Sequence, residues 1–181
     1  MKLEPHQSLV LLIDIQTKLA PAIAQSTELV AAAEWVLQVA AELHIPCLAT
    51  EQYPQGLGLT LPQLRRYFQP EQILEKIHFS ALQEPLFCQQ LQQQGRRQLV
   101  ILGTESHVCV LQTALDAIAA GYQVFLVEDA VGSRTDANKQ LALQRLLQAG
   151  CSLISREMLV FEWLQQAGTP QFRRLLQGWI R

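Results

Sequence analysis

The stretch Leu9-Val10-Leu11-Leu12-Ile13 decides the predicted fold, because it is apolar at every position and is followed by Asp14. A strand buried on both faces is apolar throughout, whereas a strand with one wet face alternates between apolar and polar residues. Similar short runs recur at residues 46–49, 73–76, 99–102, 124–127 and 152–154. The sequence therefore predicts about six buried strands, with Gly103 breaking the fourth.

Amphipathic stretches separate these runs and predict helices. They cover approximately residues 28–43, 80–95, 108–120, 135–149 and a last segment that opens at Thr169-Pro170. Ser80 and Gln83 have the spacing of a capping box, and a threonine before a proline is typical of a helix start. Residues 51–70 are rich in proline and glycine and are predicted to be mainly loop.

Strands that alternate with helices predict right-handed crossovers and a parallel sheet. We therefore expect an α/β fold, a three-layer sandwich in which about six parallel strands carry helices on both faces. A chain of 181 residues fits a single domain spanning residues 1–181.

Composition narrows the classes of function. Hydrophobic residues make up 49% and charged residues 17%, which is typical of a globular chain and not of a disordered one. Lys plus Arg is 14 and Asp plus Glu is 16, giving a formal charge of −2. Because nucleic acids and anionic membranes attract basic surfaces, we expect neither as a partner and favour a small-molecule ligand.

The expected location is the cytoplasm. No apolar run approaches the roughly 18 residues that a membrane span needs, and residues 1–6 do not have the pattern of an export signal. The four cysteines (Cys47, Cys88, Cys109 and Cys151) form neither a CxxC motif nor a metal-ligand spacing. We expect reduced thiols.

Three chemically active residues follow predicted strands. Asp14 comes after the first strand, Lys76 ends the third, and Cys109 lies just past the fourth, near a helix start. The carboxyl ends of parallel strands share one edge of the sheet, where ligands bind. A thiol near a helix N-terminus is expected to have a lowered pKa. The carboxylate could take its proton, and the lysine could hold the carboxylate in place.

Other interpretations stay open at this point. Taken alone, Asp14 fits a turn or helix cap, Lys76 a solvated side chain, and Cys109 a small core residue. The sequence is therefore also compatible with a non-catalytic interaction protein or a thiol redox protein, although no second cysteine lies near Cys109 in the sequence. His107 could form a dyad with Cys109, but residues two apart on a helix do not face each other.

The motifs resemble those of the isochorismatase-like cysteine hydrolases. The resemblance rests on Asp14-Ile15-Gln16, on Lys76 with Phe79-Ser80, and on Gly103-Thr104-Glu105-Ser106-His107-Val108-Cys109-Val110. Residues 128–130 and 133–134 also look like the family. The loop from Thr50 to Gly58 is similar to that of the isochorismatase domain-containing branch.

This resemblance implies a catalytic triad and an oxyanion hole. Cys109 would be the nucleophile, Asp14 the base and Lys76 its partner. A cis peptide near Thr104-Glu105 would aim the amides of Glu105 and Cys109 at the oxyanion. The implied activity is hydrolysis of a small amide or related acyl compound through a thioester.

The pocket walls are expected from residues near this triad. We take Gln16, Glu51, Tyr53 and His78 as substrate-binding candidates, because they lie next to the strand ends. The nicotinamidase branch has an Asp-x-His metal pattern where this chain has Glu51-Gln52-Tyr53, so we expect no catalytic metal and no cofactor.

A homo-oligomer is expected, because the family commonly assembles and the C-terminal segment carries an apolar stripe that fits either core or a subunit interface. The stripe comprises Phe161, Trp163, Leu164, Phe172, Leu175, Leu176 and Trp179.

Overall fold

A computed structural model describes residues 2–178, and within them six strands form one parallel sheet. The strands are β1 (Ser8–Ile13), β2 (Cys47–Gln52), β3 (Ile73–Lys76), β4 (Gln98–Thr104), β5 (Gln123–Gly132) and β6 (Ser152–Ile154). Their order across the sheet is β3-β2-β1-β4-β5-β6, and every neighbouring pair is parallel. The predicted parallel sheet is confirmed.

Helices cover both faces of this sheet, as predicted. The helices of nine residues or more in the described part of the chain are α1 (Ser26–Glu42), α2 (Pro85–Gln93), α3 (Leu111–Ala119), α4 (Asp136–Gln148), α5 (Arg156–Leu164) and α6 (Pro170–Gly178). Val10 and Leu12 of β1 belong to a core with α1, α5 and α6, whereas Leu9, Leu11 and Ile13 belong to a core with α2, α3 and α4. None of the helices in residues 2–178 combines the length and apolarity that crossing a bilayer requires.

Gly103 lies inside β4 and does not break it, contrary to the prediction. Its φ is +128°, and a Cβ built on it would lie 2.0 Å from the carbonyl oxygen of Ile13. Glycine is therefore required here because β1 and β4 approach too closely for any side chain. The register between β4 and β5 shifts at the same place, between Ile101 and Gly103.

The helix that follows Ser80 begins later than the sequence predicts. The helix expected from Ser80 begins at Pro85, after a 3₁₀ turn at Ala81–Gln83, and the Ser80 side chain forms no cap. Proline suits the first turn of a helix, which explains the later start. The predicted cap at Thr169 is confirmed, since its hydroxyl accepts a bond from the Phe172 amide, and Thr135 caps α4 in the same way through the Asn138 amide.

The C-terminal stripe divides between core and surface. Trp163, Leu164 and Leu175 are buried, whereas Phe161 and Leu176 are exposed. Trp179 lies outside the described residues. The sequence analysis does not predict α5, which carries Phe161, Trp163 and Leu164 of this stripe.

Candidate active site

A buried ion pair lies at the carboxyl edge of the sheet. Asp14 follows β1 in a left-handed conformation, with φ of +49°. Its Oδ2 lies 2.7 Å from Lys76 Nζ, and both side chains are almost fully buried. The Thr50 hydroxyl donates to Asp14 Oδ1 at 2.7 Å. The carboxylate is thus held on one side by a cation and on the other by a hydroxyl.

The ammonium of Lys76 has further acceptors around it. Gln52 Oε1 accepts a bond from Nζ at 2.6 Å, and the carbonyl oxygens of Phe79 and His78 lie at 3.2 and 3.4 Å. An ammonium has only three N–H donors. Lys76 is therefore fully used by the protein itself.

Cys109 lies near the ion pair of Asp14 and Lys76, because it follows β4, the neighbour of β1 in the sheet. It lies in a π-helical turn, Ser106–Val110, that connects β4 to α3. Its Sγ lies 3.9 Å from Gln52 Oε1, and both Asp14 and Lys76 are close enough to change the pKa of the thiol. The three residues predicted as a triad are thus brought together at one edge.

The predicted lowering of the thiol pKa is wrong. The pKa of Cys109 is raised to about 12, first by burial and then by the negative charge of Asp14, while Lys76 acts in the opposite direction. Desolvation disfavours a charged thiolate, and this outweighs any benefit from the helix that follows. At neutral pH the resting sulfur is a thiol.

Thr104 and Glu105, at the end of β4 and just after it, are held by hydrogen bonds to two other segments. The Thr104 hydroxyl donates to the Asp14 carbonyl at 2.7 Å, which ties the end of β4 to the end of β1. The Thr104-Glu105 peptide is cis. The buried Glu105 carboxylate accepts bonds from the Arg134 guanidinium at 2.9 and 3.0 Å. The Glu105 side chain is thus engaged by the segment after β5.

Gln16 and Glu51 are buried and bonded within the protein. The Gln16 amide accepts from the backbone N–H of Gln52 at 2.8 Å and donates to the Gln52 and Gly58 carbonyls at 3.0 and 2.6 Å. Glu51 Oε1 accepts from the Thr60 amide at 2.7 Å and from Arg65 at 2.5 Å. Both residues therefore hold the loop that follows β2.

Glu51 points away from the thiol because successive side chains of a strand alternate. Thr60 and Arg65, its partners, line a cavity of about 550 Å³ whose lining does not include Cys109. Among residues 2–178, no cluster of three or more His, Cys, Asp and Glu side chains is arranged to hold a metal ion.

Tyr53 and His78 lie next to the buried network but are exposed. Tyr53 is 55% exposed and follows Gln52 in the chain. The His78 ring is 2.9 Å from Glu84, and its side chain is 60% exposed. His107 bonds Ser133 through Nδ1 at 3.0 Å, which does not support a dyad with Cys109.

Thr50 and Gln52 are site residues that the sequence reading missed. β2 was expected to end at Ala49, whereas it continues to Gln52. Residues 50 and 52 share one face of the strand, and the pairing of Gln52 with Lys76 in β3 brings their side chains together. Extending the strand by three residues on the alternation rule would have found both.

Comparison with known proteins gives the family. The family model described as "Isochorismatase domain" matches residues 8–158. Isochorismatase domain-containing protein 2A from Mus musculus is 38% identical over 172 residues, which cover 94% of this chain and 82% of the relative.

Solved structures give the same fold. The MAR1 ribonuclease from Caenorhabditis elegans aligns with a TM-score of 0.90 and 31% identity, over 98% of this chain and 91% of the other. The YcaC gene product of Escherichia coli, described as an octameric hydrolase of unknown specificity, aligns with a TM-score of 0.92 over 99% and 91% of the chains. Its identity is 24%, so this likeness concerns the fold alone.

Proposed function

The chain belongs to the isochorismatase family, and on that basis we propose that it is a cysteine hydrolase of a small amide or related acyl compound. The observation that carries the proposal is the buried ion pair of Asp14 and Lys76, which acts on the thiol of Cys109. Burying two charges costs free energy even when they are paired. Apolar side chains of similar volume would stabilise a purely structural core at least as well, so the pair points to a chemical role.

The reaction begins with proton transfer from the Cys109 thiol to the Asp14 carboxylate. The sulfur attacks the substrate carbonyl carbon, so an S–C bond forms and the carbonyl π electrons move to the oxygen. The amides of Glu105 and Cys109 are proposed to bind this oxyanion. When the C–N bond breaks, Asp14 returns its proton to the leaving amine and a thioester remains.

Hydrolysis of the thioester completes the cycle. Asp14 takes a proton from water, and the resulting hydroxide attacks the thioester carbonyl. The S–C bond then breaks, the acid product leaves, and the sulfur recovers the proton. The sum is one amide plus one water giving one acid and one amine.

The raised pKa of Cys109 explains why the base must be adjacent. Ionising a thiol of pKa about 12 at pH 7 costs roughly 7 kcal/mol. A free thiolate is therefore strongly disfavoured before substrate binds. The transfer to Asp14 is proposed to accompany the attack, so that negative charge develops on the carbonyl oxygen of the substrate while Asp14 holds the proton nearby.

Pairing of the nearby cations favours an uncharged substrate. Lys76, Arg65 and Arg134 each form an ion pair with a buried carboxylate. A substrate anion would have to compete with those partners and would meet the negative charge of Asp14. We therefore expect a neutral carbonyl compound, with the exposed side chains of Tyr53 and His78 proposed to contact it at the rim.

Intact-mass screening of the purified protein against neutral amides and esters tests this function. The expected result is a mass increase equal to the acyl group minus the replaced thiol hydrogen, mapped to Cys109, together with release of the amine or alcohol. Cys109→Ala should give neither, while Cys151→Ala should give both. Turnover that persists in Cys109→Ala would reject the thioester mechanism.

A short RNA belongs in the same panel, because the C. elegans neighbour is named a ribonuclease. The chain's formal charge of −2 favours the small molecule. RNA cleavage with no turnover of any amide or ester would therefore replace the proposed substrate class.

The remaining expectations concern the form of the protein. We propose that residues 1–181 make one domain, that the protein works in the cytoplasm without a metal, and that it forms a homo-oligomer, as the E. coli neighbour is described as octameric. The exposed Met158, Phe161 and Leu176 support the last point. A light-scattering mass of one chain would contradict it.

A further inference from the structure

We propose that Gln52 is a positioning residue that fixes the Lys76 ammonium against Asp14 and competes with the Cys109 sulfur for its N–H groups. This inference rests on the proposed function for its effect on turnover, but its effect on the thiol can be measured without any substrate. Gln52 lies in the segment 51–70 that the sequence predicts to be mainly loop, whereas the structure places it at the end of β2.

The orientation of the Gln52 side-chain amide is determined by the hydrogen bonds of its two polar atoms. Oε1 accepts from Lys76 Nζ at 2.6 Å, and Nε2 donates to the carbonyl oxygen of Ile77 at 2.7 Å. A flipped amide would place N–H groups against an ammonium and an oxygen against a carbonyl. Both contacts would be repulsive, so Oε1 always faces the lysine.

The backbone of Gln52 is held as firmly as its side chain. The Gln16 side chain bonds both the N–H and the carbonyl of Gln52, at 2.8 and 3.0 Å. Pairing with β3 places Gln52 beside Lys76. The carbonyl dipole therefore has one position relative to the ion pair and the sulfur.

The position of Gln52 Oε1 affects which acceptors bind the N–H groups of Lys76. Asp14, Gln52 and two backbone carbonyls surround Nζ, so its three N–H groups meet more acceptors than they can satisfy, and Gln52 competes with the Cys109 sulfur, on which Lys76 also acts. The negative end of the Gln52 dipole also faces Sγ at 3.9 Å. Gln52 thus keeps the resting sulfur protonated and leaves Asp14 as the proton acceptor.

Replacing Gln52 by methionine removes both polar atoms at similar length. One N–H of Lys76 is then freed and can turn to the sulfur, which stabilises a thiolate. We expect iodoacetamide to alkylate Cys109 about tenfold faster at pH 8, corresponding to a fall of about one unit in the pKa of the thiol. We expect kcat on the best amide to fall at least about tenfold, with KM within about threefold.

Gln52→Glu should change the alkylation rate of Cys109 in the opposite direction. It keeps an oxygen for Lys76 but adds negative charge near the sulfur, so alkylation of Cys109 should become slower than in the parent protein. Gln93→Met, on the exposed side of α2, is the matched control and should change neither rate. Peptide mass mapping assigns the alkylation to Cys109 and separates it from Cys88.

The outcomes separate the two proposals. An alkylation rate and pH dependence that are unchanged in folded Gln52→Met and Gln52→Glu would overturn the role of Gln52. If Gln52→Met fails to fold, slower alkylation in Gln52→Glu supports the role and an unchanged rate rejects it. Opposite shifts in the two variants, with no turnover of any amide by the parent protein, would support Gln52 and reject the hydrolase.

Discussion

Cys109 and Cys151 are both buried thiols whose pKa burial raises to about 12, yet they lie at opposite ends of the sheet. Cys151 precedes β6 at the amino edge, and its Sγ is 3.7 Å from a backbone carbonyl. Cys109 follows β4 at the carboxyl edge and faces Asp14, Lys76 and Gln52.

The difference shows that a raised pKa marks burial and not function. Burial accounts for the whole increase at Cys151, and for that at Cys47 as well. At Cys109 two opposite charges act on the sulfur in addition. A buried thiol can become a nucleophile only where another group receives its proton.

The largest contrast is expected from removing each sulfur in turn. Cys109→Ala should lower kcat on the best amide by at least about 1000-fold, because the reaction loses its nucleophile. Cys151→Ala should keep kcat within about threefold, since no charged side chain acts on that sulfur. Steady-state kinetics on both variants make the comparison. Equal losses in both would remove the distinction between the two thiols.

Asp14→Asn should separate turnover from thiol reactivity. We expect kcat to fall by about 100- to 10,000-fold, because the proton acceptor is lost. The charge of Asp14 raises the pKa of Cys109, so its removal should lower that pKa and speed alkylation by iodoacetamide at pH 8. Rates at Cys109 and Cys151 are measured in the same sample by peptide mapping. Slower alkylation at Cys109 would contradict the assigned sign.

Lys76→Met should act mainly on stability. It leaves the Asp14 carboxylate buried without a cation, which costs about 3–5 kcal/mol. Urea unfolding gives the loss, and the double variant Asp14→Asn with Lys76→Met should recover much of it. A loss below about 1 kcal/mol would show that water replaces the lysine.

The smallest expected effect is the stability change in Cys151→Ala. Truncating this small core side chain should cost about 1 kcal/mol in the free energy of unfolding. The same urea titration measures it. A cost of several kcal/mol would mean that Cys151 has a structural role that its apolar surroundings do not explain.

The sheet and the meeting of Asp14, Lys76 and Cys109 at one edge could be predicted because short apolar runs end on single polar residues. Asp14 and Cys109 follow β1 and β4, and Lys76 ends β3, as expected, and parallel pairing brings those strand ends together. Thr50 and Gln52 could not be predicted as readily. Their polar segment has weak strand propensity of its own, and only pairing with β3 extends β2 through it.

Two other predictions failed for the same kind of reason. The capping pattern at Ser80 is local, whereas the helix begins at Pro85, five residues later and after a 3₁₀ turn. The thiol pKa was expected to fall because of a nearby helix, but burial is a property of the whole fold. Local patterns describe the chain well only where no distant segment competes with them.

The close approach of β1 and β4 at Gly103 has a practical consequence for mutagenesis. Because only a hydrogen atom fits between residue 103 and the Ile13 carbonyl, any larger group must push apart the two turns that bear the acid and the sulfur. An alanine scan scored by activity alone will mark this position as if it took part in the chemistry, although it contributes no functional group. Residue 103 is a spacer, and libraries that aim at new substrates should vary the surrounding loops and leave it fixed.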